Sequence, residues 1–202
     1  MALRETNLAK VLPWILILCG VIGFMASFTL TVDKMEILKN PNYNPICNIN
    51  PVLSCGSVMK TKQAELFGFD NSFMGLAAFS VLITVGAAMV AGAQMKRWFW
   101  QGLQGGVTFG LIFVHWLILN SLYRIHSLCP FCMVVWVVTI TTFVYVTLYN
   151  MEHGNIKLKE KHTKAFAFVK RHHVDLVLFW LLIIAALILK QFWYYYGPRL
   201  GF

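Results

Sequence analysis

The chain has 202 residues, 58% of them hydrophobic and only 12% charged, with a mean hydropathy of +0.66. Soluble domains run at about 45–50% apolar and about 25% charged, so the composition excludes a disordered chain, an ordinary nucleic-acid-binding domain and almost any soluble enzyme. The net charge of +9 has its meaning in where the basic residues fall, because membrane proteins concentrate Lys and Arg in cytoplasmic loops.

A membrane-crossing helix needs about 20 mostly apolar residues, and five stretches qualify. They are Val11 to Val32, Ser72 to Ala93, Phe99 to Leu122, Pro130 to Tyr149 and Val174 to Tyr196. The first is too long for a signal-peptide core and has no small-x-small cleavage site at its end, so it reads as a retained span. Asp175 and Lys190 lie near the ends of the fifth stretch, where charged side chains reach the interface. The reading is an all-α integral membrane protein with five spans.

Orientation follows from the loops. With the N-terminus inside, the cytoplasmic segments hold Arg4, Lys10, Lys96, Arg97 and the basic run Lys157, Lys159, Lys161, Lys164, Lys170 and Arg171. The outer segments hold Lys34, Lys39, Lys60, Lys62, Arg124, Lys190 and Arg199, balanced by Asp33, Glu36, Glu65 and Asp70. The bias places the N-terminus in the cytoplasm and the C-terminus outside. The basic run 157–171 then faces anionic lipid headgroups rather than nucleic acid.

This topology puts four of the five cysteines on one outer face: Cys47 and Cys55 in the long loop Asp33 to Asn71, and Cys129 and Cys132 where the fourth span begins. That face is oxidising in a bacterial cytoplasmic membrane or an endoplasmic reticulum. The segment Ser127-Leu128-Cys129-Pro130-Phe131-Cys132 is the most informative in the chain. Pro130 suits the first position of a helix, which makes Cys129 the N-cap with Cys132 one turn inside. Free N–H groups and the helix dipole lower a thiol pKa there, so the pair reads as redox-active. A plain stabilising disulfide and a zinc site built from the four cysteines are the competing readings.

In the first loop, Asn and Pro dominate residues 40–51, which places Cys47 in an irregular, mobile strand. Ser54 is positioned to cap a short helix from Cys55 to about Phe67. Val58, Met59, Leu66 and Phe67 would form its apolar side, with Lys60 and Lys62 towards water, so the helix would lie on the membrane like a lid. Seven residues separate Cys47 from Cys55, a spacing that allows a bridge without proving one. Cys19, alone in the inner half of the first span, reads as packing. His115 is ionisable within a span; a hydrogen bond to a neighbouring helix is the favoured reading, a proton relay the other. His153, His162, His172 and His173 belong to a solvated inner loop, and Arg124 and His126 precede the redox pair, where they would favour its thiolate.

At these residues the sequence resembles the vitamin K epoxide reductases and their bacterial homologues. The resemblance rests on Cys47 and Cys55 with Asn50-Pro51 and Ser54 between them, on Phe67-Gly68-Phe69-Asp70-Asn71-Ser72 and Gly75, and on Cys129-Pro130-Phe131-Cys132. It covers roughly residues 10 to 150, leaving 151–202 as a basic linker and the fifth span. It implies a four-helix bundle around a quinone, whether menaquinone, ubiquinone or phylloquinone, covered by the first loop. It further implies that Cys129 exchanges with the loop, that Cys132 faces the quinone ring, that Cys55 exchanges with Cys129, and that Cys47 meets an outside partner. Asn71 matches an asparagine that hydrogen-bonds a quinone carbonyl, and Thr61 stands where the family often has a serine. Trp136 stands where animal members carry a tyrosine, a departure that bears on specificity for vitamin K epoxide. Asn71, Trp136, Thr61 and Met59 form the expected quinone-contacting set, with no metal ligands. Many bacterial members carry a thioredoxin-like domain after the fifth span. Here the sequence stops at Phe202, so the expected partner is a separate thioredoxin-fold, DsbA-like protein.

In the DsbB type of quinone-linked oxidase the adjacent cysteine pair comes first and the spaced pair second. The order here is reversed. The leading expectation is therefore a quinone-dependent thiol oxidase. The alternatives are a quinone or vitamin K epoxide reductase driven by dithiols, and a non-enzymatic membrane scaffold stapled by disulfides.

Overall fold

The computed structural model describes residues 8–40, 42–156 and 163–197. The described residues are helical, and their one β-bridge joins Leu53 to Leu128. Five helices are long and apolar enough to cross a membrane: α1 (Leu8–Lys39), α3 (Asn71–Val90), α4 (Arg97–Asn120, continued by a π-helical turn Ser121–Ile125), α5 (Pro130–Glu152) and α7 (His173–Gln191). Short helices α2 (Cys55–Met59), α6 (Thr163–Arg171) and α8 (Trp193–Tyr196) complete the set, with a 3-10 turn at Lys62–Glu65. The chain is an integral membrane protein.

All five expected spans are present, with shifted ends. The largest shift is in α1, which runs seven residues past Val32. At 1.5 Å per residue its 32 residues reach about 48 Å, against about 30 Å of hydrocarbon. The charged tail Asp33–Lys39 thus exceeds the length a span needs, and it continues the helix where the apolar pattern ends. Just before it, the Thr31 hydroxyl shares a 2.7 Å hydrogen bond with that of Ser72 at the start of α3.

Helix α1 is the centre of the assembly, packed on α3 and on α5, with α4 against the other side of α5. Its contact with α3 is close because small residues let the backbones approach. A Cβ at Gly86 would sit 2.7 Å from the Pro13 carbonyl, and one at Gly23 would collide with the Phe79 ring. The core there joins Leu12, Leu16, Phe79, Leu82 and Cys19, so Cys19 is a packing residue. Helix α7 joins the bundle through Trp180, whose indole N–H donates to Nε2 of His115 at 3.0 Å, while Nδ1 of His115 lies 2.8 Å from the Leu111 carbonyl. His115 thus bonds a neighbouring helix.

At the end of the bundle away from Cys129, Arg97 and Gln101 both donate to the Asn155 carbonyl, and Lys170 pairs with Glu152 at 2.7 Å. His153 is exposed, as expected of an inner loop, and His172 is half-buried. His173 departs from the expectation: it begins α7 buried, edge-on to Tyr145, with Nδ1 2.9 Å from the Lys170 carbonyl. The turn between α6 and α7 folds it back onto α5. His162 and the basic residues 157–161 lie outside the described residues.

Candidate redox site

Cys47, Cys55, Cys129 and Cys132 converge through backbone pairing between two distant loops. Leu128 N–H donates to the Val52 carbonyl at 2.7 Å, and Ser54 N–H donates to the Leu128 carbonyl at 2.8 Å. The Ser127 hydroxyl adds a 3.2 Å bond to the Val52 carbonyl. Cys55 and Cys129 follow directly on this seam. Their sulfurs are 3.2 Å apart and not bonded to one another. Reacting atoms in near-attack geometry stand about 3–3.5 Å apart.

Cys47 and Cys55 form a disulfide with a Cα–Cα distance of 5.7 Å, and Cys129 and Cys132 are free thiols. Cys47 is buried in a turn closed by Asn48 N–H to the Pro45 carbonyl, not in a strand. Asn48 organises this loop: its Oδ1 accepts from the Ser54 hydroxyl at 3.0 Å and from Gly56 N–H at 2.9 Å. Asn50 Oδ1 accepts from the backbone N–H groups of Val52 and Leu53, an Asx turn that sets the seam.

Ser54 caps α2 as its sequence position suggests, accepting from Ser57 N–H at 3.2 Å. The single lid helix to Phe67 is not formed. Helix α2 ends at Met59, Thr61 is extended, and a separate 3-10 turn follows. The Thr61 hydroxyl donates to the Val58 carbonyl at 2.7 Å, a local side-chain bond that competes with helix continuation. In consequence Leu66 and Phe67 are both 47% exposed and do not continue the buried side begun by Met59. Lys60 and Lys62 do face outward. Both lid pieces are held by Lys34 of α1, whose Nζ donates to the Met59 carbonyl and pairs with Glu65, each at 2.7 Å.

Cys129 is the N-cap of α5, with Pro130 in the first turn and the Cys132 N–H donating to its sulfur at 3.3 Å. The hydrogen bond from the Cys132 side chain lowers the Cys129 pKa, opposed by burial and assisted by the backbone N–H groups of Cys132 and Phe131. The lowering is local in origin. Arg124 and His126, expected to assist, are exposed. His126 instead ends the π-turn in the left-handed conformation, with φ at 56°.

Behind the inner pair lies an apolar cavity of about 200 Å³ lined by Cys129 and Cys132 together with Met59, Thr61, Asn71 and Trp136. All four expected quinone-contacting residues are therefore brought together beside the inner cysteines. A second apolar cavity of about 500 Å³ between α3 and α4 shares Phe79, Phe109 and Gly110 with the first. The Asn71 Nδ2 donates to the Gln63 carbonyl at 2.7 Å, which fixes the amide orientation and leaves one Nδ2 hydrogen to give. Asn71 Oδ1 and Trp136 Nε1 are buried without partners. Such atoms cost about 1–3 kcal/mol each. A flat apolar molecule carrying ring oxygens fits this lining.

Asp33 and Lys34, which sequence reading registered only as charges, are both buried at this site. The signal that marks them is an acid–base pair placed immediately after an uncharged span.

These features define a class: a helical membrane protein that holds a disulfide and a dithiol in contact at one end, beside an apolar cavity. The particular family follows from sequence comparison. The model of the Vitamin K epoxide reductase family matches residues 14–147, and the chain belongs to that family, whose members are oxidoreductases. The match takes in most of α1 through most of α5 and stops before α6 and the fifth span. A search of curated proteins found no match.

Proposed function

We propose that this chain is a quinone-dependent thiol–disulfide oxidoreductase of a bacterial cytoplasmic membrane, and that it oxidises a separate thioredoxin-fold, DsbA-like protein on the outer face. The observation that carries this reading is the 3.2 Å approach of Cys129 to Cys55 directly over the cavity that Cys132 lines.

The chemistry is disulfide exchange through mixed disulfides. A partner thiolate attacks Cys47, forms a partner–Cys47 disulfide and displaces Cys55 as thiolate. Cys55 attacks Cys129 of an oxidised inner pair, forming a Cys55–Cys129 disulfide and releasing Cys132 as thiolate. The partner's second thiol then displaces Cys47, which closes on Cys55 and expels Cys129. The partner leaves with a disulfide, and two electrons rest on Cys129 and Cys132, the arrangement of bonds seen in the structure. A bound quinone supplies the oxidising power by accepting two electrons and two protons. Trp136 Nε1 and the free Nδ2 hydrogen of Asn71 are donors suited to ring carbonyls, and Asn71 Oδ1 is an acceptor suited to a ring hydroxyl. Met59 and Thr61 roof the cavity from the lid, and the second cavity offers apolar room for an isoprenoid tail.

The test is quinol formation by the purified protein in detergent, driven either by a reduced DsbA-like protein or by dithiothreitol. Cys129→Ala and Cys132→Ala are expected to abolish it with both reductants. Cys47→Ala and Cys55→Ala are expected to abolish the protein-driven reaction and leave part of the dithiothreitol-driven one, because a small dithiol reaches the inner pair without the loop. Undiminished quinol formation by Cys132→Ala would sink the mechanism. Disulfides that resist mild reductant in every variant would support the scaffold reading.

A further inference from the structure

Exchange at the loop disulfide has two outcomes, because an attacking thiolate can displace either sulfur. Only displacement of Cys55 sends electrons inward, since Cys55 is the sulfur lying against Cys129. Displacement of Cys47 leaves them facing the partner.

The environment of Cys47 is unequal to that of Cys55. Oδ2 of Asp33, on the tail of α1, lies 3.8 Å from Cys47 Sγ. The Asp33 side chain is 4% exposed, and its other oxygen accepts from the Tyr43 hydroxyl at 2.9 Å. Among the described residues Asp33 has no ion pair, because the adjacent Lys34 is turned to Glu65 and the Met59 carbonyl. The Asp33 bond raises the Tyr43 pKa, which keeps that hydroxyl a donor. A carboxylate is an acceptor only. Beside it a sulfur is stable in a disulfide or as a thiol donating its proton, and unstable as an anion. The same carboxylate also opposes the Cys129 thiolate, but there the hydrogen bonds from Cys132 and the helix N-terminus outweigh it.

We propose that Asp33 sets the direction of exchange at the loop pair: its carboxylate keeps negative charge off Cys47, so the electron pair of the broken disulfide goes to Cys55. Resting on the function proposed above, this assigns Cys47 as the sulfur attacked and Cys55 as the leaving thiolate, with the Tyr43 hydroxyl tempering the Asp33 charge through the hydrogen bond it donates. The same carboxylate slows each step that passes through a Cys47 thiolate, both the release of Cys47 by the partner's second thiol and the reverse attack of Cys129 on Cys55. Electrons and protons balance as before, and only the partition between the two sulfurs is set.

The experiment reads each loop thiol alone, without partner or quinone. In a Cys55→Ser, Cys129→Ser background, the pH midpoint for alkylation of Cys47 by iodoacetamide is followed on its peptide by mass. A Cys47→Ser, Cys129→Ser background reports Cys55. The Cys47 midpoint is expected above that of Cys55. Asp33→Asn is expected to lower it by about one unit, a roughly tenfold gain in thiolate at neutral pH, while Asp33→Glu keeps it high. Tyr43→Phe, which strips a donor from the carboxylate, is expected to move it upward. Loosening of the loop would move Asp33→Asn and Tyr43→Phe in the same direction, and that result overturns the proposal, as does a Cys47 midpoint indifferent to Asp33→Asn. Because the midpoints need no quinol, a failure of the oxidase reading is seen separately in the turnover assay.

Discussion

Cys129 shows how one side chain sums opposing neighbours. The Cys132 thiol and two backbone N–H groups draw its pKa down, while burial and the charge of Asp33 push it up, and the first group wins. With a lowered pKa the thiolate persists at pH values where a free cysteine, near 8.5, is already protonated. Its reactivity falls only when the pH drops through that lowered value. In a background of Cys47→Ser and Cys55→Ser, Cys132→Ala removes the largest lowering contribution, so the midpoint for alkylation of Cys129 should rise. Cys132→Ser, which retains a hydroxyl donor, should restore most of the shift. Equal midpoints in the three proteins would show that the helix N-terminus alone sets the value. Cys19 is the contrasting case, held in the core with Leu16, Phe79 and Leu82. Cys19→Ala should leave quinol formation near that of the parent protein.

At the scale of elements, one lysine ties both pieces of the lid to α1. Nζ of Lys34 satisfies the Met59 carbonyl at the end of α2 and the Glu65 carboxylate at the end of the 3-10 turn. Its side chain is 11% exposed while that of Glu65 is 47% exposed, so the carbonyl bond carries most of the effect and the half-exposed ion pair little. A hydrogen bond to a charged group contributes about 1.5–3 kcal/mol, so Lys34→Met should speed amide exchange across 55–65 by roughly 10- to 100-fold. Lys34→Arg should retain part of the protection, and unchanged exchange in the Met variant would mean that the seam at Leu53 and Leu128 holds the lid by itself. The lid also marks the limit of what could be read from sequence. The caps at Ser54 and Cys129 were legible, because a capping side chain and Pro130 act within one turn. The break at Thr61 was not, since it depends on a hydroxyl turning back to Val58 rather than outward. The extension of α1 was hidden because hydropathy reports the membrane and not the helix. Bringing Asp33 beside Cys47 and Trp180 beside His115 is a tertiary outcome that no local pattern encodes.

For the whole molecule, one end carries all the sulfur chemistry. The C-terminal tail of α1, the N-terminus of α3 and the N-terminus of α5 meet there, with Cys47, Cys55 and Cys129 buried among Ile37 and Met59. The opposite end carries Arg97, Lys170 and Arg171. Lys and Arg near span ends are retained in the cytoplasm, and disulfides persist on the oxidising side, so both arguments support the proposed orientation with the cysteines outside. With five spans that orientation predicts the two ends of the chain on opposite sides. A reporter active only in the periplasm should report when fused after Phe202 and stay silent when inserted near Gly154, which lies in the turn after α5. A membrane-impermeant maleimide added to intact cells should label Cys47 after mild reduction, and its labelling should be lost in Cys47→Ser. The reverse pattern would put both cysteine pairs in a reducing compartment. There the Cys47–Cys55 bridge would stand open, and the passage of electrons from an outer partner through Cys55 to Cys129 would have no starting point.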